Sequence, residues 1–495
     1  MTIMGVNGAK IKFDPRAISN SRNKGSILNY KPVNRRRTAM NKITKKNTSR
    51  REFLKNTGRI AAASALAAGV VPRIYAAENN TIKVALVGCG GRGTGAASEA
   101  LSVKNGPIEL VAMADVFEDR LARSYKNLMD GHHEQVQVPK DRQFVGFDGY
   151  RKAMDCLKPG DVAIFATPPA FRWVHFAYAI AKGIHVFMEK PITVDGPSTR
   201  KFLKLAEESV KKNLKVGVGL MSRHSRALEE LAKRVHDGEI GELILQRGYR
   251  MGGRACTTGP KPDNMSELLY QIQRFHSFIW ASGGMYSDYY IHIIDHLGWM
   301  KNAWPVKAQA LGGRHYRGNS VDQNFDVYAV EYTYADGTTF MFDGRCMNGC
   351  QDIYSSYLHG SKGMAIASRS GDCGMPSSIH KGQNPTRSNM VWESEVKRDE
   401  RNPYQNEWDD LMDAIRHDKP YNEAKRGVQA SLVTSLGRMA AHTGQEITYD
   451  EILNCDHEMA PGLDKLTMDS PAPLRSDSEG KYPVPQPGIV KDREY

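Results

Sequence analysis

The chain of 495 residues is long enough for two or three domains of ordinary size. At 40% hydrophobic and 25% charged residues it reads as a soluble globular protein, with no long disordered span except at its two ends. The net charge of +13 does not point to nucleic acid. Residues 1–77 hold 17 of the 68 Lys and Arg but only two of the 55 acids, Asp14 and Glu52, so the body carries 51 basic against 53 acidic residues. A nucleic-acid footprint is a basic patch on a folded domain, whereas this excess sits in a leader.

Within that leader, residues 49–55 (Ser-Arg-Arg-Glu-Phe-Leu-Lys) resemble a twin-arginine export signal. An Ala-rich apolar run follows over 60–71, interrupted by Gly69, too short for a membrane span, and Ala76-Ala77 offer a small-residue cleavage site. Met40 is a more usual start for such a signal than Met1. The rival reading is a basic amphipathic helix with a chance Arg-Arg pair; charge, apolar core and small-residue exit in this order favour export through the twin-arginine translocase to the periplasm.

From Thr81 onward strands and helices alternate. Short apolar runs at 83–87, 108–114, 162–166, 185–188 and 215–220 predict buried parallel strands, separated by helical stretches such as 171–182 and 198–211. This alternation predicts a doubly wound α/β domain over 78–220. Near 238–241 the rhythm changes to longer strands at 243–250, 306–311, 327–334 and 338–343, the last two joined by an Ala335-Asp336-Gly337 turn. Residues 221–460 therefore read as an α+β domain with a large, mostly antiparallel open sheet, whose late helices at 406–416 and 428–442 return toward the first domain. Residues 461–495, rich in Pro, Ser, Asp and Gly, read as an extended tail.

Seven cysteines are present, an odd number, with no CxxC pair, which argues against a structural zinc. Cys346 and Cys350, four apart, could form one bridge in an oxidising compartment.

Three motifs carry chemistry. Gly88-Cys89-Gly90-Gly91-Arg92-Gly93 fits G-x-G-x-x-G between a strand and a helix. Gly88 permits the turn, Gly90 lets the backbone approach a pyrophosphate, and Gly93 allows close helix packing, with the helix N-terminus facing the phosphates. Asp115 ends the second strand, where it would accept from a ribose 2′-hydroxyl and repel a 2′-phosphate, favouring NAD over NADP. Glu189-Lys190-Pro191 follows the strand at 185–188. A lysine beside a cationic nicotinamide can handle protons; an isolated Glu-Lys pair would otherwise be a surface salt bridge. Finally, Asp288 and His292 lie four apart on one helix face, so the carboxylate is expected to fix the imidazole. A plain polar face, or a metal held by His292 and His296, are the competing readings.

Taken in order, these motifs, with Thr167-Pro168-Pro169 and the run 183–191, resemble the family of glucose–fructose oxidoreductase, inositol dehydrogenase and the rhizopine-catabolism oxidoreductases over about residues 81–451, and its twin-arginine-exported subgroup. The resemblance implies that Lys190 and His292 contact the reacting hydroxyl with Asp288 supporting, and that Thr167, Pro168 and Glu189 border the nicotinamide. It departs at Pro169, where Asn followed closely by His is common; here His175 comes later. From the second domain, Arg223, Tyr290 and Asp295 are candidates for neighbouring substrate hydroxyls, with Arg223 equally readable as a salt-bridge partner. The expected activity is hydride transfer from a sugar, glycoside or cyclitol by a homodimer or homotetramer with tightly held NAD and no metal. A redox-neutral glycoside cleavage through a 3-keto intermediate is the alternative, and a non-catalytic sugar sensor a third.

Overall fold

The computed structural model describes residues 80–395 and 402–495. The export-signal and cleavage-site readings at 49–77 lie outside them. The first sheet is assembled from β1 (Ile82–Val87), α1 (Gly91–Leu101), β2 (Ile108–Asp115), α2 (Glu118–His132), β3 (Gln143–Val145), α3 (Gly149–Asp155), β4 (Val162–Phe165), α4 (Arg172–Lys182), β5 (His185–Met188), α5 (Gly196–Lys211) and β6 (Val216–Val218). All its pairs are parallel, in the order β3-β2-β1-β4-β5-β6. The order reverses between β1 and β4, and the crevice above that point is where such sheets take ligands. Both faces of the sheet are covered, which is why its strands read as unbroken apolar runs. The short β3 carried no such run and was invisible in the sequence.

The second sheet has nine strands. It is formed by β7 (Leu243–Gly252), β8 (Lys307–Gly313), β9 (Val327–Thr333), β10 (Thr339–Cys346), β11 (Ile353–Gly360), β12 (Gly363–Ser368), β13 (Ser378–Lys381), β14 (Met390–Glu393) and β15 (Ile447–Thr448), in the order β14-β13-β12-β11-β7-β10-β9-β8-β15. Every pair is antiparallel except β7 with β10. Strict alternation along β9 and β10 shows one buried and one open face. Ahead of β7 runs α6 (Arg226–His236), and between β7 and β8 come α7 (Glu267–Gln273), α8 (Ile279–Ser282) and α9 (Gly284–Lys301). Tyr286, Tyr290, Ile293 and Leu297 of α9 pack on Tyr328, Val330, Phe340 and Phe342 of the sheet. The chain then forms α10 (Pro403–Arg416), α11 (Ala424–Thr443) and α12 (Tyr449–Asn454). α10 returns to the first sheet, where Trp408 stacks on Phe187 with centroids 4.4 Å apart. Among the described residues no helix is long and apolar enough to cross a membrane.

Residues 461–495 lack regular structure beyond one short turn and are anchored along their length: Leu463, Leu474, Tyr482 and Glu494 are all buried, because scattered apolar and charged side chains find sites on the folded body. One expectation needs correction. Cys346 and Cys350 are unbridged; β10 ends at the buried Cys346 and the chain turns through Gly349, leaving Cys350 exposed.

The deepest of the tail's anchors is Glu494. Its carboxylate accepts from Arg438 of α11 at 2.8 Å and pairs with His442 Nδ1 at 2.7 Å, with both members of the Arg438–Glu494 pair at most 3% exposed. Burial alone would raise the Glu494 carboxyl; Arg438 and His442 outweigh it and hold it down at about 2. Removing one member of such a pair strands a buried charge. Glu494→Ala is therefore expected to lower the unfolding free energy by about 3–5 kcal/mol in urea titrations. The pH dependence has a defined sign. A carboxyl whose folded pKa lies below its unfolded value of about 4.3 stabilises above that value and loses the contribution as pH falls toward the folded one. Wild type should therefore lose more stability than Glu494→Gln as pH falls from above 4 to about 2, measured by thermal melts across that window.

Candidate active site

Backbone, rather than side chains, faces the crevice after β1. Gly88 has φ +99°, and a Cβ there would sit 2.5 Å from the Ala166 carbonyl carbon; one on Gly93 would sit 1.9 Å from the Gly88 oxygen. Gly90 and Gly91 face open space, and Gly90 caps α1 with no side-chain hydrogen bond, leaving the first N–H groups of the helix available. These glycines line one part of a cavity of about 710 Å³, within the usual size of a cofactor site. Asp115 borders the same cavity. Its Oδ2 accepts from the Cys89 N–H at 2.6 Å and its Oδ1 from the Phe117 N–H at 2.9 Å, so it braces the turn. Burial raises its pKa and those N–H groups pull it back. Each oxygen keeps a second lone pair for a ligand hydroxyl. An open glycine cradle, free helix N–H groups and a carboxylate at the neighbouring strand end fit a dinucleotide.

The loop after β4 is fixed by a buried arginine that the sequence reading passed over. Arg172 donates to the Glu189 carbonyl at 3.0 Å, to Thr167 Oγ1 at 2.8 Å and to the Thr167 carbonyl. It ties the Thr167-Pro168 loop to the end of β5. Its signal was present: one Arg at the head of an otherwise largely apolar helical stretch. His175 stands behind it, 3.2 Å from Thr167 Oγ1, pushed down to about 3 by burial and by Arg172, hence a neutral wall residue. Arg92 turns from the glycine turn to Glu189, with Nε 2.8 Å from Oε1, pairs also with Glu99, and lies over the Tyr404 ring at 4.6 Å. Thr167, Pro168, Arg92 and Glu189 all line the cavity.

The cavity's remaining wall joins Lys190 to α9. Lys190 Nζ donates to the Asp288 carbonyl at 2.7 Å and lies 3.5 Å from Asp288 Oδ1. Asp288 Oδ2 is 3.2 Å from Nε2 of His276, a half-exposed residue with no sequence signal. Burial pushes the Asp288 carboxyl up, but Lys190 and His276 overcome it and hold it well below the usual carboxylate range. The expected fixing of His292 by Asp288 is not the arrangement found. Helical side chains lean toward the N-terminus of their helix, so the Asp288 carboxylate reaches Lys190 and His276 rather than the residue one turn later. His292 lines the cavity with its buried Nδ1 unpartnered. Burial pushes its pKa down to about 4, opposed chiefly by Asp372, whose carboxylate takes the Tyr354 hydroxyl. Asp372 follows β12 in a turn, where sequence spacing says nothing about proximity to α9.

Three second-domain candidates do not reach the cavity. Arg223 and Asp295 form a buried two-pronged pair, Nε–Oδ2 and Nη2–Oδ1 each 2.8 Å, so each satisfies the other. Tyr290 is wholly buried, its hydroxyl 3.9 Å from Cys346 Sγ, because α9 is enclosed on all sides and position 290 faces the sheet. His296 turns to Ser356 Oγ at 2.9 Å and does not join His292. The cavity also takes in Leu463, Asp464 and Leu466 of the final segment.

No family model matches the chain. In sequence it is similar to an inositol 2-dehydrogenase of Arthrobacter sp. (strain FB24), 29% identical over 200 residues, 40% of this chain and 52% of that one. The chain spans about a quarter to a half of the length of the curated relatives it matches. In structure it is similar to aldose-aldose oxidoreductase from Caulobacter crescentus complexed with glycerol, with TM-score 0.56, 16% identity, and coverage of 74% of this chain and 99% of that one. It is similar also to scyllo-inositol dehydrogenase from Lactobacillus casei with bound NAD(H) and scyllo-inositol, with TM-score 0.53, 19% identity, and coverage of 75% and 99%. Its six-stranded parallel sheet and its nine-stranded, mostly antiparallel sheet are those of such dehydrogenases. The fold is thus that of the inositol and aldose dehydrogenases named above, and over part of its length the chain is similar in sequence to inositol 2-dehydrogenases.

Proposed function

We propose that this chain is an NAD-dependent oxidoreductase that removes hydride from a hydroxyl-bearing carbon of a sugar, glycoside or cyclitol. The observation that carries the reading is the convergence of Lys190, Asp288 and His292 on one cavity with the glycine cradle and Asp115. A bound nicotinamide would supply the hydride acceptor. The protein's own residues manage the proton. Lys190, held by the Asp288 carbonyl and carboxylate, is placed to donate to the substrate oxygen. His292, kept neutral by burial and lining the same cavity, is placed to accept the hydroxyl proton. Arg172 holds the Thr167-Pro168 loop and the β5 end in fixed relation, which orients both partners. NAD rather than NADP is supported by Asp115 at the ribose position. The two nearby arginines are otherwise engaged, Arg120 with the Gln273 carbonyl at 3.1 Å and Arg123 with Asp119 at 3.4 Å. Export to the periplasm, supported by residues 49–55, would require the cofactor to be loaded before transport and kept. The open face of the second sheet carries Met341, Leu311, Tyr249 and Tyr357, and we assign it to a second copy of the chain.

Four outcomes follow. Lys190→Ala and His292→Ala should each slow reduction of bound NAD by about 10²–10⁴-fold in stopped-flow absorbance while leaving nucleotide content unchanged. The rate of that step should stay flat through neutral pH and fall only as pH drops toward about 4, where His292 becomes protonated and can no longer accept a proton. Asp372→Asn removes the main attraction on the imidazolium and should move this fall to lower pH, read by NMR titration of the His292 ring. Light scattering at micromolar concentration should give a dimer or tetramer, and Met341→Asp should shift it toward monomer.

A further inference from the structure

We propose that residues 459–495 form a strap that latches the cofactor cavity, with Leu463, Asp464 and Leu466 as dinucleotide-contacting residues, so that the nucleotide is a resident group and not an exchanging co-substrate. This rests on the nucleotide reading above.

The path of the segment carries the argument. It leaves the first domain where the Met459 N–H donates to Asp195 Oδ2 at 3.0 Å, just after Arg200 grips the Leu453 and Cys455 carbonyls at 2.7 and 2.9 Å. Its one turn, Leu463–Lys465, entered through Gly462 at φ +76°, packs beside the short turn Pro169–Phe171 that follows the Thr167-Pro168 loop. Leu463 there is 7% exposed. The segment then crosses to the second domain. Gln271 donates to the Leu474 carbonyl at 2.9 Å and Gln323 to the Pro483 carbonyl at 2.8 Å. Tyr482 packs edge-on against Phe278 at 4.9 Å. The Gly488 N–H donates to the Thr443 carbonyl at 2.9 Å, and Glu494 closes the path on Arg438 and His442.

Both domains are thus tied across the cavity by a segment with no strand in either sheet. Such a segment is held by separate side-chain anchors and the single Gly488–Thr443 backbone bond, and it can lift without unzipping a ladder. A ligand in the cavity lies between the glycine cradle and Leu463, Asp464 and Leu466, all of which share that one cavity. Departure then requires two leucines to leave their packing, and this slows release rather than entry during folding. Asp464 adds an acceptor for ligand hydroxyl or amide donors.

The test uses the full chain purified with its nucleotide. Bound dinucleotide is chased with excess isotopically labelled NAD, and the bound label is followed by rapid desalting and mass spectrometry. Leu463→Ala/Leu466→Ala should exchange at least about tenfold faster than wild type. Glu494→Gln, which loosens the far anchor without touching the cavity, should accelerate exchange in the same direction. Thermal melts establish that each variant is folded at the assay temperature. Equal exchange rates in wild type and the folded double variant overturn the strap and leave the nucleotide reading standing. A wild-type protein that takes up no dinucleotide overturns the reading on which the strap rests.

Discussion

A guanidinium that is 1% exposed has to place five N–H donors without help from water. Arg438 does so on three separate pieces of chain. Its Nε and one Nη2 hydrogen go to the Glu494 carboxylate, Nη1 goes to the Gly283 carbonyl and Ser287 Oγ, and the remaining Nη2 hydrogen goes to the Val194 carbonyl. Ser287 immediately precedes Asp288, and Val194 lies four residues beyond Lys190. One buried cation therefore sets the distance between the end of β5 and the first turn of α9, the two places from which Lys190 and Asp288 meet. The rest of the site inherits that distance.

The site itself is governed by the same competition between burial and pairing. Asp288 remains a carboxylate because Lys190 and His276 flank it, whereas His292, with Nδ1 unpartnered, is held neutral. One turn apart on one helix, these groups become charged and neutral respectively from what faces them and not from their spacing. The Arg172 guanidinium is a third case: buried, it is lowered to about 10, yet it stays charged and uses its donors on backbone and hydroxyl oxygens.

The first domain was legible in sequence because each strand is covered on both faces, and its glycine turn and Asp115 sit at fixed offsets from β1 and β2. The second was half legible. β7 and β8 read as longer strands and β9 and β10 alternate clearly, while β11 to β14 are interrupted by polar and glycine residues and were not anticipated. At the site, Lys190, Asp288 and His292 were readable as motif residues, but their partners were not. His276, Asp372 and Tyr404 come from turns and a distant helix, and their proximity is a tertiary fact. Polarity made Arg223, Asp295 and Tyr290 candidates, with Arg223 equally readable as the salt-bridge partner it proves to be. That criterion fails on α9, where polar residues on every side are buried and each must be met by the surrounding structure.

The parallel pairing of β7 with β10 has a consequence for how the molecule assembles. β8, β9 and β10 can zip as successive hairpins, but β7 must wait for a partner almost a hundred residues downstream, and α9 lies inside the loop so closed. Closing a loop of that length has a large entropic cost before any contact rewards it, so this ladder is expected to form late. The helix that bears Asp288 and His292 is therefore enclosed only when the centre of the second sheet joins. On a growing chain, that ladder cannot be completed until Cys346, its last rung, has emerged from the ribosome.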